Sequence, residues 1–371
     1  MTIQQESPEY VRISLAAAMT LGLVNGAFFR GATLYCVNLL LTYSNGCVGR
    51  CAYCGLSRSR KLEKIWTDYS FIRVDWPTVS LNEVLERMDS CPYVERVCVS
   101  MVTNRRAPED CLTIVRRLRK KTDSISGLIT PTIIDRSWLE ELKRAGADKV
   151  GIAIDAATPE LFDKLRGKGV GGPHRWEKYW NTVEEAVDVF GRYNVGVHLI
   201  VGLGETEEEM VRCIQTAYDI GALTHLFSFF PEEGSIMEEH TQPPIGQYRR
   251  IQLARYLINK GLTSVDNMRF DNFGRLIDFG LEKDVLDEVI ESGLPFMTSG
   301  CASKKRDNAC NRPFSDYTPY HALIGEMRNY PFVPTKDDIK LIRRQLQDYS
   351  NIPVKVWVDG LEGLFGYAEH I

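Results

Sequence analysis

The chain has 371 residues, 44% of them hydrophobic and 25% charged, with a formal net charge of −4. This composition suits a globular protein with a substantial core, and the length admits two average domains or one α/β barrel with extensions. The slight negative balance gives no electrostatic ground for nucleic-acid or anionic-membrane binding; the basic cluster at 116–121 reads as the solvated face of a helix.

Residues 1–30 are expected to form a helical extension. Gln4, Gln5, Glu6 and Glu9 stand where a secretion signal would be basic, and the apolar stretch at 14–23 is too short to span a bilayer. No later stretch reaches transmembrane length without charges, so a cytoplasmic location is expected. Thiols stay reduced there, and the ten cysteines point to metal ligands, catalytic thiols or core packing before disulfides.

Short apolar runs then alternate with longer amphipathic segments. Strands are predicted at 33–41, 94–102, 125–129, 149–155, 195–201, 225–230, 268–270 and 295–298. Helices between them have recognisable starts at Ser80, Asp135 and Thr206, the last with Glu209 as a capping-box partner. Such alternation implies a parallel sheet with helical crossovers, and about eight repeats imply a (βα)8 barrel, complete or nearly so, over residues 31–330. An open doubly wound sheet is the competing architecture. In a barrel, chemistry belongs at the C-terminal ends of the strands. Residues 331–371 read as an extension outside the barrel, a helix followed by the strand PVKVWV.

The strongest motif follows the first strand: SNGCVGRCAYC, with Cys47, Cys51 and Cys54. A [4Fe-4S] cluster normally takes four protein ligands, so three cysteines leave one iron open. A zinc site would want a fourth ligand nearby in sequence, and none stands close. Gly46 and Gly49 let the loop fold around a cluster, and aromatic Tyr53 precedes the last cysteine. This CxxxCxxC loop resembles that of the radical S-adenosylmethionine (SAM) superfamily. The resemblance implies that the open iron binds the amino and carboxylate groups of SAM, and that an electron from the cluster breaks the sulfonium C–S bond to give a 5′-deoxyadenosyl radical.

From about Cys36 to Pro319 the sequence resembles biotin synthase and its relatives, most clearly in GIAIDAATPELFDKL, HRWEKY and VGLGETEEE. The resemblance implies that Asp155 accepts hydrogen bonds from the SAM ribose and that Arg175 pairs with its carboxylate. It also implies that Gly202, Leu203, Gly204 and Glu205 border the adenine. Taken singly, Asp155 could cap the following helix, Arg175 could be a surface charge and the glycines could make a turn. The methionyl-amine site on the second strand is left open between Ser100, Thr103 and a backbone carbonyl.

Biotin synthase also builds a [2Fe-2S] cluster from barrel cysteines. Cys98 stands where one is expected, but no cysteine occurs on the third strand, Gly196 replaces another, and Ala153 replaces a substrate-contacting asparagine. Cys98 is therefore read as a core residue, and Cys91, Cys111 and Cys213 as packing thiols. Cys36, Cys301 and Cys310 would instead meet where a barrel closes, as ligands of an auxiliary [4Fe-4S] cluster; the fourth ligand is open between Ser299, Ser303, a small molecule and sulfide. Alternatively, Cys36 packs in the barrel and the other two cysteines form a small zinc or redox element.

This pattern, with the NRPF segment after the last strand, resembles the two-protein archaeal-type lipoyl synthases. That likeness implies sulfur insertion into an octanoyl chain on a carrier-domain lysine, the carrier being of the glycine cleavage H protein or dehydrogenase E2 type. It also implies a second lipoyl synthase protein and an electron donor such as ferredoxin or flavodoxin. Three alternatives remain open: a radical SAM enzyme whose auxiliary cluster relays electrons, an authentic biotin synthase, and an iron–sulfur carrier or scaffold.

Overall fold

Six of the predicted strands form one parallel sheet in the computed structural model, which describes residues 5–61, 70–71 and 74–350. The chain begins with β1 (Tyr10–Ile13), α1 (Leu15–Thr20) and β2 (Cys36–Leu41), then β3 (Thr78–Ser80) and α2 (Leu81–Asp89). Strand and helix then alternate through β4 (Arg96–Ser100), α3 (Ala107–Leu118), β5 (Ile125–Ile129), α4 (Arg136–Ala145) and β6 (Lys149–Asp155). Two helices follow, α5 (Pro159–Arg166) and α6 (Trp176–Phe190), and then β7 (Val195–Val201), α7 (Glu207–Ile220), β8 (Leu223–Ser228) and α8 (Ile245–Asn259). Ser80, Asp135 and Thr206 cap their helices as expected, the last in a full capping box with Glu209.

The strand order is β8-β7-β6-β5-β4-β2-β1-β3. All pairs from β2 to β8 are parallel, whereas β1 lies antiparallel to both β2 and β3. Every residue of β2 is buried, as expected for a strand covered on both faces. The N-terminal region expected to be helical thus divides: only Leu15–Thr20 is helix there, and Tyr10–Ile13 extends the sheet. Its run of four residues is too short for periodicity to distinguish.

The sheet does not close into an eight-stranded barrel. The seventh predicted strand survives as β9 (Arg269–Phe270), which pairs antiparallel with β10 (Leu276–Asp278) in a separate hairpin. Asp271 Oδ1 accepts from the N–H groups of Phe273 and Arg275 and makes that turn. The eighth becomes a 3₁₀ turn, Leu294–Phe296, with one isolated bridge from Met297 to Tyr330. Pro295 has no N–H for a ladder.

Side chains stand where the next strand would. The N–H groups of Thr224, Leu226 and Ser228 on β8 donate to Asn259 Oδ1 (3.3 Å), Ser299 Oγ (2.8 Å) and Asp316 Oδ2 (3.1 Å). The same segment reaches the start of β2, where Asn311 accepts from Tyr35 N–H and donates to the Thr33 carbonyl. Residues 298–317 therefore bridge the first and last strands of the parallel run. Beyond them lie α10 (Pro319–Leu323) and α11 (Lys336–Leu346), the latter packed on α9 (Lys283–Glu291) and α8. The predicted strand at 353–358 lies outside the described residues. Among the described residues no helix is long and apolar enough to cross a membrane.

Candidate active site

The C-terminal ends of the six parallel strands open into one solvent-connected cavity of about 300 Å³, with Leu40, Ser100, Leu128, Asp155, Ile200 and Phe227 on its wall. Cys47, Cys51 and Cys54 line the same cavity and form no disulfide.

Their loop is held from outside. Val48 N–H donates to the Thr103 carbonyl (2.9 Å) and Ala52 N–H to the Leu165 carbonyl (2.7 Å), so the ends of β4 and α5 fix its course. Gly46 adopts φ 63°, which a residue with a Cβ rarely does. A Cβ on Gly49 would come within 3.2 Å of Cys47 Sγ and 3.3 Å of His174 Nε2. Burial pushes the Cys51 thiol up to about 11 and also raises Cys54 well above the ordinary thiol value. Unmetallated, these thiols are neutral, and iron would supply the positive charge that ionises them. Among the described residues no three His, Cys, Asp or Glu side chains surround a single ion. A cubane does not need that, because each thiolate binds a different corner iron. The donor set fits a three-cysteine cluster.

Beside the loop, Tyr53 O–H donates to Asp155 Oδ2 at 2.6 Å, and burial raises its pKa well above the ordinary phenol value. Asp155 ends β6 with φ 67°, turning its carboxylate onto the cavity wall. Arg166 reaches the same Asp155 oxygen at 2.7 Å, donates to the Ile154 carbonyl and to Tyr179 Oη, and lines the cavity.

Arg175 does not reach the cavity: it is exposed at the start of α6 and donates to the Gly172 and His174 carbonyls. Arg166 is the buried arginine at the site, and sequence reading passed over it. The signal was its glycine-rich surroundings, since a Cβ on Gly172 would strike the Arg166 carbonyl. His174 was also missed. Its Nδ1 contacts Thr132 Oγ1 (2.6 Å) and Tyr179 Oη (2.9 Å), and burial, reinforced by the charges of Arg166 and Arg175, lowers it to about 3. It is a neutral imidazole beside the cysteine loop.

Gly202 and Gly204 adopt φ 100° and 124° in the turn after β7. Glu205 folds back, accepting from Gly202 N–H (2.6 Å) and Leu203 N–H (2.9 Å). These residues shape the turn, and the cavity wall stops at Ile200 on this strand.

Toward the N-terminal ends of the strands lie Cys36, Cys301 and Cys310. Asn38 Nδ2 lies 3.8 Å from Cys36 Sγ and 3.5 Å from Cys310 Sγ. Cys310 N–H donates to the Cys301 carbonyl at 3.2 Å, and Cys301 Sγ lies 4.0 Å from His225 Nε2. A hydrogen bond from Cys36, aided by Asn38 and the positive Arg312, lowers Cys310 to about 6. Where a cysteine is missing at Gly196, a Cβ would collide with the His225 ring at 2.7 Å. That ring packs edge-to-face on His198, so histidines occupy the space a biotin-synthase-type ligand would need.

Residues 41–217 match the family model described as the Radical SAM superfamily. Among curated relatives, GTP 3',8-cyclase of Rippkaea orientalis is 29% identical over 105 residues, covering 28% of either chain. GTP 3',8-cyclase of Microcystis aeruginosa is 34% identical over 86 residues, covering 23% of either chain. The chain thus matches about a quarter of the length of these relatives. Among solved structures, methylornithine synthase aligns at TM-score 0.46 with 14% identity, over 66% of each chain. The FeFe-hydrogenase maturase HydG from Carboxydothermus hydrogenoformans aligns at TM-score 0.44 with 16% identity, over 89% of this chain and 81% of that one. Cys47, Cys51 and Cys54, on the wall of the cavity at the strand ends, lie within the span that matches the Radical SAM superfamily model.

Proposed function

We propose that this chain is a radical SAM sulfurtransferase that inserts sulfur into an unactivated C–H bond of an octanoyl chain on a carrier-protein lysine, in the manner of the archaeal-type lipoyl synthases. It would act with a second radical SAM protein and a ferredoxin- or flavodoxin-type donor. The observation that carries this reading is the convergence of Cys36, Cys301 and Cys310 beneath the cavity that Cys47, Cys51 and Cys54 line. When bound, the two clusters and SAM would supply hydrogen-atom abstraction and a sulfide for the new C–S bond.

The residues of the chain bind, orient and exclude water. Cys47, Cys51 and Cys54 would hold the SAM cluster, with Asp155 presented to the ribose by its contacts with Tyr53 and Arg166. Tyr53, Gly202, Gly204 and Glu205 stay in the proposed cofactor surroundings, the last three by shaping the β7 turn. For the cofactor carboxylate, the buried Arg166 is better placed than the exposed Arg175. Met101, Val102, Ile129, Phe229 and Phe230 make the wall apolar, which suits an aliphatic chain and keeps water from a reactive intermediate.

A second reading is a radical SAM enzyme of another reaction, whose lower cluster relays electrons; the two curated relatives carry the name GTP 3',8-cyclase rather than that of a sulfurtransferase. Against a nucleoside triphosphate, the two arginines of the described wall are Arg166, paired with Asp155, and Arg312, among the cysteines. Polyphosphate recognition ordinarily uses several free cations.

The decisive measurement uses anaerobically reconstituted protein, an octanoylated carrier and the partner protein. Cys301→Ala or Cys310→Ala is expected to retain 5′-deoxyadenosine formation and lose the thiolated product. Replacing Cys47, Cys51 and Cys54 together should abolish both. A turnover product containing no sulfur by mass spectrometry would favour the relay reading instead.

A further inference from the structure

The lower cysteine group has one more member than the expected three. Cys98 pairs through its Cα with Asn38 on β2 and with Ser126 on β5, and Asn38 is the side chain that touches both Cys36 and Cys310. Burial raises the Cys98 thiol, and its neighbours Cys310 and Cys301 raise it further. On β4 the alternation RVCVS turns Arg96, Cys98 and Ser100 to one face, and Ser100 lies on the cavity wall.

The other candidate ligands are committed. Ser299 Oγ accepts from Leu226 N–H at 2.8 Å. Ser303 Oγ donates to Glu95 Oε2 at 2.5 Å and accepts from the N–H groups of Lys305 and Arg306.

Two buried polar atoms bordering the group have no hydrogen-bond partner, Asn38 Oδ1 and His225 Nδ1. Arg312 neighbours the same thiols: burial lowers it, and Cys310, Cys98, Cys36 and Asp316 oppose that. Its guanidinium also lies 5.2 Å from the Trp76 ring centroid, on the cavity wall. A buried cation among sulfurs wants a negative group beside it, and four thiolates on a cubane leave that site negative overall.

We infer that Cys98 completes, with Cys36, Cys301 and Cys310, a four-thiolate iron–sulfur site whose charge Arg312 balances on the cavity side. The inference rests on the second cluster of the proposed function and changes its character. With a cysteine at every corner iron, no corner is left for a small molecule, and any reaction partner must meet a bridging sulfide. Thiolate is preferred over the neighbouring imidazole of His225 because soft sulfur ligands suit iron–sulfur clusters.

The test uses the full chain with Cys47, Cys51 and Cys54 replaced by alanine, so that only the lower site can load. About four irons per chain are expected, with a reduced-cluster electron paramagnetic resonance signal. Adding Cys98→Ala should lower iron to about three or fewer and give a [3Fe-4S]-type signal on oxidation, with unchanged thermal melting. If that variant does not fold, Cys98→Ser should instead keep the iron and shift the signal. Full iron and an unaltered signal in both variants would overturn the assignment of Cys98. The same loss in His225→Ala, with Cys98→Ala intact, would transfer the role to the histidine. An iron-free parent would overturn the second cluster itself and this assignment with it.

Discussion

Glu205 is a carboxyl enclosed by protein, 6% exposed, whose two oxygens both accept backbone N–H groups. Burial outweighs those bonds and pushes it up to about 7. A raised acid binds its proton more tightly folded than unfolded, so its contribution to stability is complete below about pH 4.5 and is lost as pH rises through 7. Glu205→Gln mimics the protonated form and should flatten that slope in melts recorded from pH 4.5 to 7.5. A variant that keeps the wild-type slope would place the titration elsewhere. At this scale the cysteine loop is legible because ligand chemistry depends on sequence spacing. Arg166 is not, because its role depends on how far a side chain folds back across α5 to the end of β6. Cys98 lies between: RVCVS alternates, but a single sequence does not say which of its faces turns toward other sulfurs.

At the scale of elements, the start of α7 carries two devices of unequal weight. The Thr206–Glu209 capping box satisfies the exposed first turn, and Thr206→Ala should cost about 1 kcal/mol. One residue on, Glu207 pairs with Arg250 of α8 at 2.6 Å, both side chains 3% exposed, and also accepts from Leu276 N–H on β10. Removing one partner strands a buried charge, so Arg250→Met should cost roughly 3–5 kcal/mol. Denaturant melts that rank the two substitutions the other way round would contradict this account. The capping box is legible from TEEE; the pair is not, because residues 207 and 250 meet only after α7 and α8 pack. The first six strands are legible from apolar runs bounded by turn residues. The last two mislead for local reasons: Asp271 makes a tight turn four residues before Arg275, and Pro295 interrupts a ladder.

At the scale of the whole molecule, repeat counting reads the parallel αβ architecture and the placement of chemistry at the strand ends, but overestimates closure. The ring is finished by residues 298–317, an irregular strap rather than a strand. Irregular segments leave no periodic trace, which is why the way this side is finished escapes a reading of the sequence.

That strap has two tasks at once. Ser299 and Asp316 blunt the main-chain donors of β8, and between them lie Cys301 and Cys310. The proposed cluster would tie cofactor loading and protection against edge-to-edge pairing to one stretch of polypeptide: metal at the lower cysteines would clamp the strap down, and its loss would free a bare strand margin for another molecule. Iron-depleted protein should therefore self-associate measurably by light scattering at concentrations where the loaded form stays dispersed. Equal behaviour of the two forms would show that the strap holds without its metal.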